Sequence, residues 1–189
     1  LDKILAKDAE PVKIETGFRF TEGPAAHEDG RVFFTDQPNN KIHIWEPGKG
    51  VSEFEVESER SNGLYFTNEG ELLACADYRN KLVKFDMDGN KKVLVNDYKG
   101  KHLNGPNDVW QHPDGYIYFT DPFYKRPWWP EGHEEVQSER GVYLLKPDGE
   151  LRRVAAGFKM PNGIIGTLDG DHLYVADHSG RLTYRFDIQ

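Results

Sequence analysis

Apolar and polar residues alternate along this chain in short runs separated by glycine-bearing turns. A period of two predicts β-strands, and no stretch carries the 3.6-residue period of a helix. The most regular runs are RVFFTD (31–36), ELLACAD (71–77), YIYFTD (116–121) and HLYVAD (172–177). Each closes on an aspartate: Asp36, Asp77, Asp121 and Asp177. Each follows an acid–glycine turn: Asp29-Gly30, Glu69-Gly70, Asp114-Gly115 and Asp169-Gly170. A second run follows every one of them (KIHIWEP, KLVKFDMDG, GVYLLKPDG, RLTYRFDIQ), and three lead on to a further run, GVSEFEV, KKVLVND and ELRRVAAG.

The unit is strand, turn, strand, loop, strand, turn, strand. It recurs at intervals of about 40 to 55 residues, as four-stranded propeller blades do. The predicted fold is an all-β propeller in a single domain, 1–189, with blades over about 14–56, 57–98, 99–155 and 156–189. The third blade is lengthened by an insertion, PFYKRPWWPEGHEEVQSERG (122–141).

Counting back about 14 residues from each closing aspartate reaches Glu22, Asn62, Asn107 and Asn162, each beside glycine or proline in TEGP, SNGL, GPND and PNGI. That position starts the innermost strand of a blade, and inner strands converge on the central channel. One carboxylate with amide oxygens is a hard-oxygen set. It suits Ca²⁺, which takes six to eight oxygens and accepts neutral donors. With no His or Cys at the position it suits Zn²⁺ or Cu²⁺ poorly. Water or substrate oxygens would complete the shell, as a catalytic ion requires. Taken singly, each residue also fits a turn, because Asn-Gly and Gly-Pro form turns and Asn accepts left-handed backbone. The shared register favours the ring, least for Asn62, whose SNGL fits a turn alone. Asn62, Asn104 and Asp108 are expected as substrate-facing or additional channel residues; Asp108 either orients Asn107 or serves the fold. The four closing aspartates are expected to cap the turns that follow them. Trp128-Trp129 in the insertion form either a substrate lid or a packing contact with a neighbouring blade. His102, His112, His133 and His178 have no metal or triad spacing, and neither a phosphate loop nor a G-x-S-x-G elbow occurs.

Composition narrows the partners. The 189 residues suffice for one domain with a core. A net charge of −8 disfavours nucleic acid, whose phosphates require Lys and Arg. No run of about 18 apolar residues exists to cross a membrane as a helix. The single cysteine, Cys75, allows no intrachain disulfide and no Cys-based zinc site. That suits the cytoplasm and leaves a periplasmic or secreted location open. Leu1 in place of Met points to an upstream segment removed with a signal peptide or at an artificial boundary.

Assembled, these residues resemble the SMP-30/gluconolactonase/LRE-like family, in particular its gluconolactonase-like branch of six-bladed calcium propellers. The matching segments are FTEGPA with RVFFTD, SNGL with ELLACAD, LNGPNDV with DGYIYFTDP, and MPNGI with HLYVAD, over about Gly17 to Ile188. The resemblance implies one divalent cation, Ca²⁺, held by Glu22, Asn107 and Asn162, with Asn107 also touching substrate. It implies hydrolysis of a sugar lactone such as gluconolactone, the metal polarising the carbonyl and a carboxylate activating water. That carboxylate is the family's further ligand, an Asp of a later blade, expected beyond Gln189, so no catalytic base is assigned within the chain. Four blades of six imply a fragment or a missing partner chain, with EPVKIET (10–16) awaiting a closing blade and exposed faces prone to self-association. Two other functions share the fold: a non-catalytic propeller that binds a sugar or a partner, and an aryl ester or organophosphate hydrolase.

Overall fold

The computed structural model describes residue 6 and residues 8–189; positions 1–5 and 7 of the expected 1–189 domain, Leu1 among them, lie outside the described residues. Four antiparallel sheets follow one another in chain order. Blade one is β1 (Thr21–Ala26), β2 (Val32–Asp36), β3 (Lys41–Glu46) and β4 (Gly50–Glu55). Blade two is β5 (Ser61–Phe66), β6 (Leu72–Ala76), β7 (Lys81–Phe85) and β8 (Lys91–Val95). A two-stranded hairpin, β9 (Asp97–Tyr98) and β10 (Lys101–His102), precedes blade three, which is β11 (Val109–Gln111), β12 (Ile117–Asp121), β13 (Gly141–Leu145) and β14 (Leu151–Ala156). The fourth sheet has three strands, β15 (Pro161–Gly166), β16 (His172–Asp177) and β17 (Leu182–Asp187). Every connection is a meander, strand to adjacent strand.

Alternation along the strands sorts side chains between successive sheets. In β6, Leu72, Ala74 and Ala76 join Phe33 and Ile42 of blade one, whereas Leu73 and Cys75 join Phe119 and Tyr143 of blade three. In β12, Ile117 and Phe119 face blade two while Tyr118 packs with Leu173 and Val175 of blade four. The core is thus three separate apolar layers, one at each interface between blades. Such face-to-face stacking of four-stranded meanders defines a β-propeller.

The acid–glycine turns behave as the sequence predicts. Gly70 has φ +80° and donates its N–H to the Thr67 carbonyl at 2.9 Å, closing the hairpin between β5 and β6. Two features were not legible in the pattern. Single 3-10 turns follow β2 and β6, at Gln37–Asn39 and Asp77–Arg79, each ended by a left-handed asparagine, Asn40 and Asn80. The segment 10–16 forms no strand; Val12, Ile14 and Phe18 instead lie along the outer face of blade one beside Phe34, Trp45 and Val51.

Candidate functional site at the inner strands

Glu22, Asn62 and Asn162 are each the second residue of an inner strand, β1, β5 and β15. In all three strands the pairing register breaks immediately around them, between Glu22 and Ala25, Ser61 and Leu64, and Pro161 and Ile164. A bulge at that point re-aims a side chain out of the pleat. Asn107 precedes β11 and is tied to the neighbouring strand through its N–H, which reaches the Thr120 carbonyl at 2.9 Å.

The four positions lie on backbone that passes from blade to blade. Thr35 Oγ1 donates to the Asn62 carbonyl at 3.0 Å. The Gly63 N–H donates to the Asn107 carbonyl at 2.7 Å. Thr120 Oγ1 donates to the Asn162 carbonyl at 2.7 Å. The carbonyls of Asn62, Asn107 and Asn162 therefore tie each blade's entry to the blade before it. Glycine follows three of the four positions, and at Gly23 and Gly63 the next blade leaves no room for a side chain, whereas Gly163 has space for a Cβ. A Cβ on Gly23 would overlap the Asn62 carbonyl oxygen and stand 2.8 Å from the Leu64 nitrogen.

Blade three replaces that glycine with Asp108. Its Oδ2 accepts the Ile164 N–H at 2.9 Å, bracing β15. Burial pushes the Asp108 carboxyl up to about 6 against the pull of the Ile164 and Val109 N–H groups, and the nearby Glu22 carboxylate adds to the rise. The Glu22 carboxylate of blade one thus lies within electrostatic reach of Asp108 in blade three.

The side chains of the ring are largely uncommitted. Asn62 and Asn107 are each 4 % exposed, yet neither amide bonds to another side chain or backbone group among the described residues. The Glu22 carboxylate has only the Gly23 N–H, at 3.3 Å, and no cationic partner among the described residues. Asn162 donates Nδ2 to the Tyr124 hydroxyl at 2.9 Å, and its Oδ1 stays free. Among the described residues no three His, Cys, Asp or Glu side chains gather as a metal cluster; the oxygens on offer are one carboxylate and amides. Asn104 is fully buried and occupied otherwise: its Oδ1 accepts the Val136 and Gln137 N–H groups at 3.1 and 3.0 Å.

The closing aspartates, expected to cap the turns that follow them, for the most part hold upstream backbone instead. Asp36 accepts the Arg19 and Phe20 N–H groups, Asp121 those of Asn104 and Gly105, and Asp177 those of Lys159 and Met160. Each clamps the loop that enters its own blade's inner strand. Only Asp177 also takes the N–H of a following glycine, Gly180. Asp77 breaks the rule. The loop ahead of β5 runs through two left-handed residues, Glu59 and Arg60, at φ +54° and +53°. Asp77 instead accepts Gln37 Nε2 at 3.3 Å and pairs with Arg126 of the insertion, Nε to Oδ2 3.4 Å. Burial still lifts Asp77 to about 7, less than it would without the Arg126 charge beside it.

The insertion is anchored at both ends. Gln137 Nε2 reaches the carbonyls of Tyr98, Lys101 and His102 at 3.2, 3.0 and 2.8 Å. Trp128 lies under the Arg60 guanidinium at 4.7 Å, and Trp129 packs on His133 at 4.0 Å between ring centroids. Trp128 therefore holds blade two, and Trp129 packs within the insertion.

A β-propeller that carries one oxygen-bearing residue at the same offset in each of four blades is the class that fold and site define. The chain belongs to the SMP-30/gluconolactonase/LRE-like family, whose model matches residues 20–189. It is 31% identical over 192 residues to a gluconolactonase of Zymomonas mobilis, covering 94% of this chain and 54% of that protein. It is 26% identical to a pentonolactonase of Haloferax volcanii, covering 92% of this chain and 55% of that one. Among solved structures it is similar to a gluconolactonase of Xanthomonas campestris, at a TM-score of 0.85 and 30% identity, over 91% of this chain and 59% of the other. The chain thus spans about half the length of the curated relatives it matches.

Proposed function

We propose that this chain supplies the metal- and substrate-binding side of a sugar-lactone hydrolase, with one divalent cation, Ca²⁺, held by Glu22, Asn107 and Asn162. The observation that carries this reading is the bulged start of the inner strands, where the half-buried Glu22 carboxylate has no counter-charge and the Asn62 and Asn107 amides have no partner among the described residues. A cation takes up such oxygens, and one carboxylate with two amide carbonyls leaves places for water and substrate. The lactonase relatives and the family membership support the substrate class.

Bound there, the cation would polarise the lactone carbonyl towards attack by water. Glu22 contributes the negative charge of the site. Asn107 turns one end of its amide to the cation and can offer the other to a substrate oxygen, as can Asn62. Asp108, through Ile164, holds the inner strands of blades three and four at fixed spacing. Tyr124, Arg126 and Trp128 bring the insertion over one side of the ring and restrict water there. No residue of this chain is assigned as the general base.

The test is calcium titration by calorimetry alongside gluconolactone hydrolysis followed in a pH-stat, with and without chelator. Glu22→Gln is expected to weaken Ca²⁺ binding by at least about tenfold, since it removes the site's one ligand charge, and chelator is expected to stop hydrolysis. Unchanged Ca²⁺ affinity in both Glu22→Gln and Asn107→Ala would remove the ligand assignment. Calcium binding without hydrolysis would favour the non-catalytic propeller.

A further inference from the structure

We infer that Tyr124, from the insertion of blade three, is a positioning residue that fixes the amide of Asn162 with its carbonyl oxygen turned into the ring. The inference rests on the reading of Asn162 as a metal ligand and goes one layer beyond it.

An asparagine amide has a donor end and an acceptor end of almost the same shape, and its terminal torsion is broad and roughly two-fold. An asparagine that is to serve a cation must therefore be told which end to present. Asn62 and Asn107 have no partner that does so. Asn162 has one: its Nδ2 donates to the Tyr124 hydroxyl at 2.9 Å with Oδ1 free, and because a hydroxyl both donates and accepts, it is a cation on Oδ1 together with Tyr124 accepting from Nδ2 that would hold the amide one way round. Its backbone carbonyl is held independently by Thr120 Oγ1 at 2.7 Å, so main chain and side chain are fixed by separate partners.

Tyr124 is itself held firmly for a loop residue. The Arg126 guanidinium lies over its ring at 4.8 Å, and Arg126 is paired through Nε with Asp77 Oδ2 at 3.4 Å. Arg126 also lies 5.7 Å from the Trp128 ring, whose other guanidinium neighbour is Arg60 of blade two. Asp77 is free for this work because it alone of the four closing aspartates does not clamp the backbone ahead of its own inner strand. A chain of contacts thus runs from Asp77 in blade two, through Arg126 and Tyr124 of the insertion, to Asn162 in blade four. The insertion is a brace between two blades that are not neighbours, and its working end is one phenolic oxygen.

The experiment uses Ca²⁺ alone as probe, by calorimetry on the purified protein, so that it does not depend on turnover. Tyr124→Phe keeps the ring beneath Arg126 and deletes only the hydroxyl. It is expected to weaken Ca²⁺ binding about tenfold, the usual cost of losing a group that orients a ligand, with no change in the melting temperature of the metal-free protein. In an Asn162→Asp background the same change is expected to cost less than about twofold, because a carboxylate presents an oxygen from either end. Equal losses in the two backgrounds, or full affinity in Tyr124→Phe while Asn162→Ala is weakened, would overturn the positioning role and leave the ligand assignment standing. Full affinity in Asn162→Ala would overturn both.

Discussion

A single glycine shows how closely the inner strands pack. Gly23 combines φ +53° with backbone of blade two where a Cβ would go. Gly30 has φ +89° but open space around it. Gly30→Ala is expected to cost only left-handed strain, about 1 kcal/mol. Gly23→Ala must also push blades one and two apart, and a loss of at least about 3 kcal/mol is expected by chemical denaturation. Equal losses at the two sites would mean that blade one tolerates displacement. Asp121 is the second case. Burial lifts its carboxyl to about 7 although the Asn104 and Gly105 N–H groups oppose the rise. A carboxyl raised above its unfolded value holds its proton longer in the folded protein. Its contribution is complete below about pH 4 and is lost as pH climbs through about 7. Stability measured across that window is expected to fall with pH, and Asp121→Asn is expected to flatten part of the slope. Asp177 acts in the opposite sense: burial raises its carboxyl, but the N–H groups of Lys159, Met160 and Gly180 outweigh it and the net shift is downward. Its contribution is present above the ordinary aspartate range and fades as pH drops below it.

Among elements, the insertion 122–141 departs most from the repeat. It has no strand of its own and takes its shape from polar anchors: Asn104 and Gln137 at one end, Asp77 and Asn162 at the other. Asn104→Ala would leave the Val136 and Gln137 N–H groups without their acceptor, at a cost of about 1 to 3 kcal/mol for buried donors. Hydrogen exchange is expected to quicken across 122–141 and remain slow in β6 and β12. Quickening in β12 as well would mean that Asn104 supports the whole of blade three. The inner strands make the complementary point. Their bulges are what aim Glu22 and Asn162, and nothing in an alternating pattern announces a bulge except the adjacent glycine, which also fits a turn.

For the whole molecule, the two end blades differ. Blade one turns Val32, Phe34, Trp45 and Val51 outward, partly covered by Val12, Ile14 and Phe18. Val12 and Ile14 remain 83 % and 53 % exposed. On blade four, β17 pairs with no further strand among the described residues; its Thr183, Arg185 and Asp187 are polar, with Leu182 exposed beside them. An apolar face and an open edge favour association. In sedimentation velocity these 189 residues are expected to run above the monomer, and Val12→Lys with Ile14→Lys to shift them back towards it. An unaltered distribution would place the contact elsewhere, with the blade-four edge the next surface to change.

Much of this was legible in the sequence, and for a clear reason. Strand identity, hairpin position and blade count are local properties: alternation sorts residues between two faces, glycine sets the turn, and repetition makes the same decision four times. The shared offset of Glu22, Asn62, Asn107 and Asn162 from the closing aspartates could be read from register alone, and three of them are the second residue of a blade's first strand while Asn107 precedes one. The roles of the aspartates could not, because Asp36, Asp121 and Asp177 act on backbone more than fifteen residues upstream, a distance closed only by the fold. Nor could the exception at Asp77, which depends on two left-handed residues in one loop and an arginine from another blade. Asn104 and Asn107 look alike in LNGPND, yet one amide is spent on Val136 and Gln137 and the other is left free. Chain periodicity determined the architecture because pleat and turn are local; tertiary structure decided which polar groups are satisfied, because that depends on what other blades bring within about 3 Å.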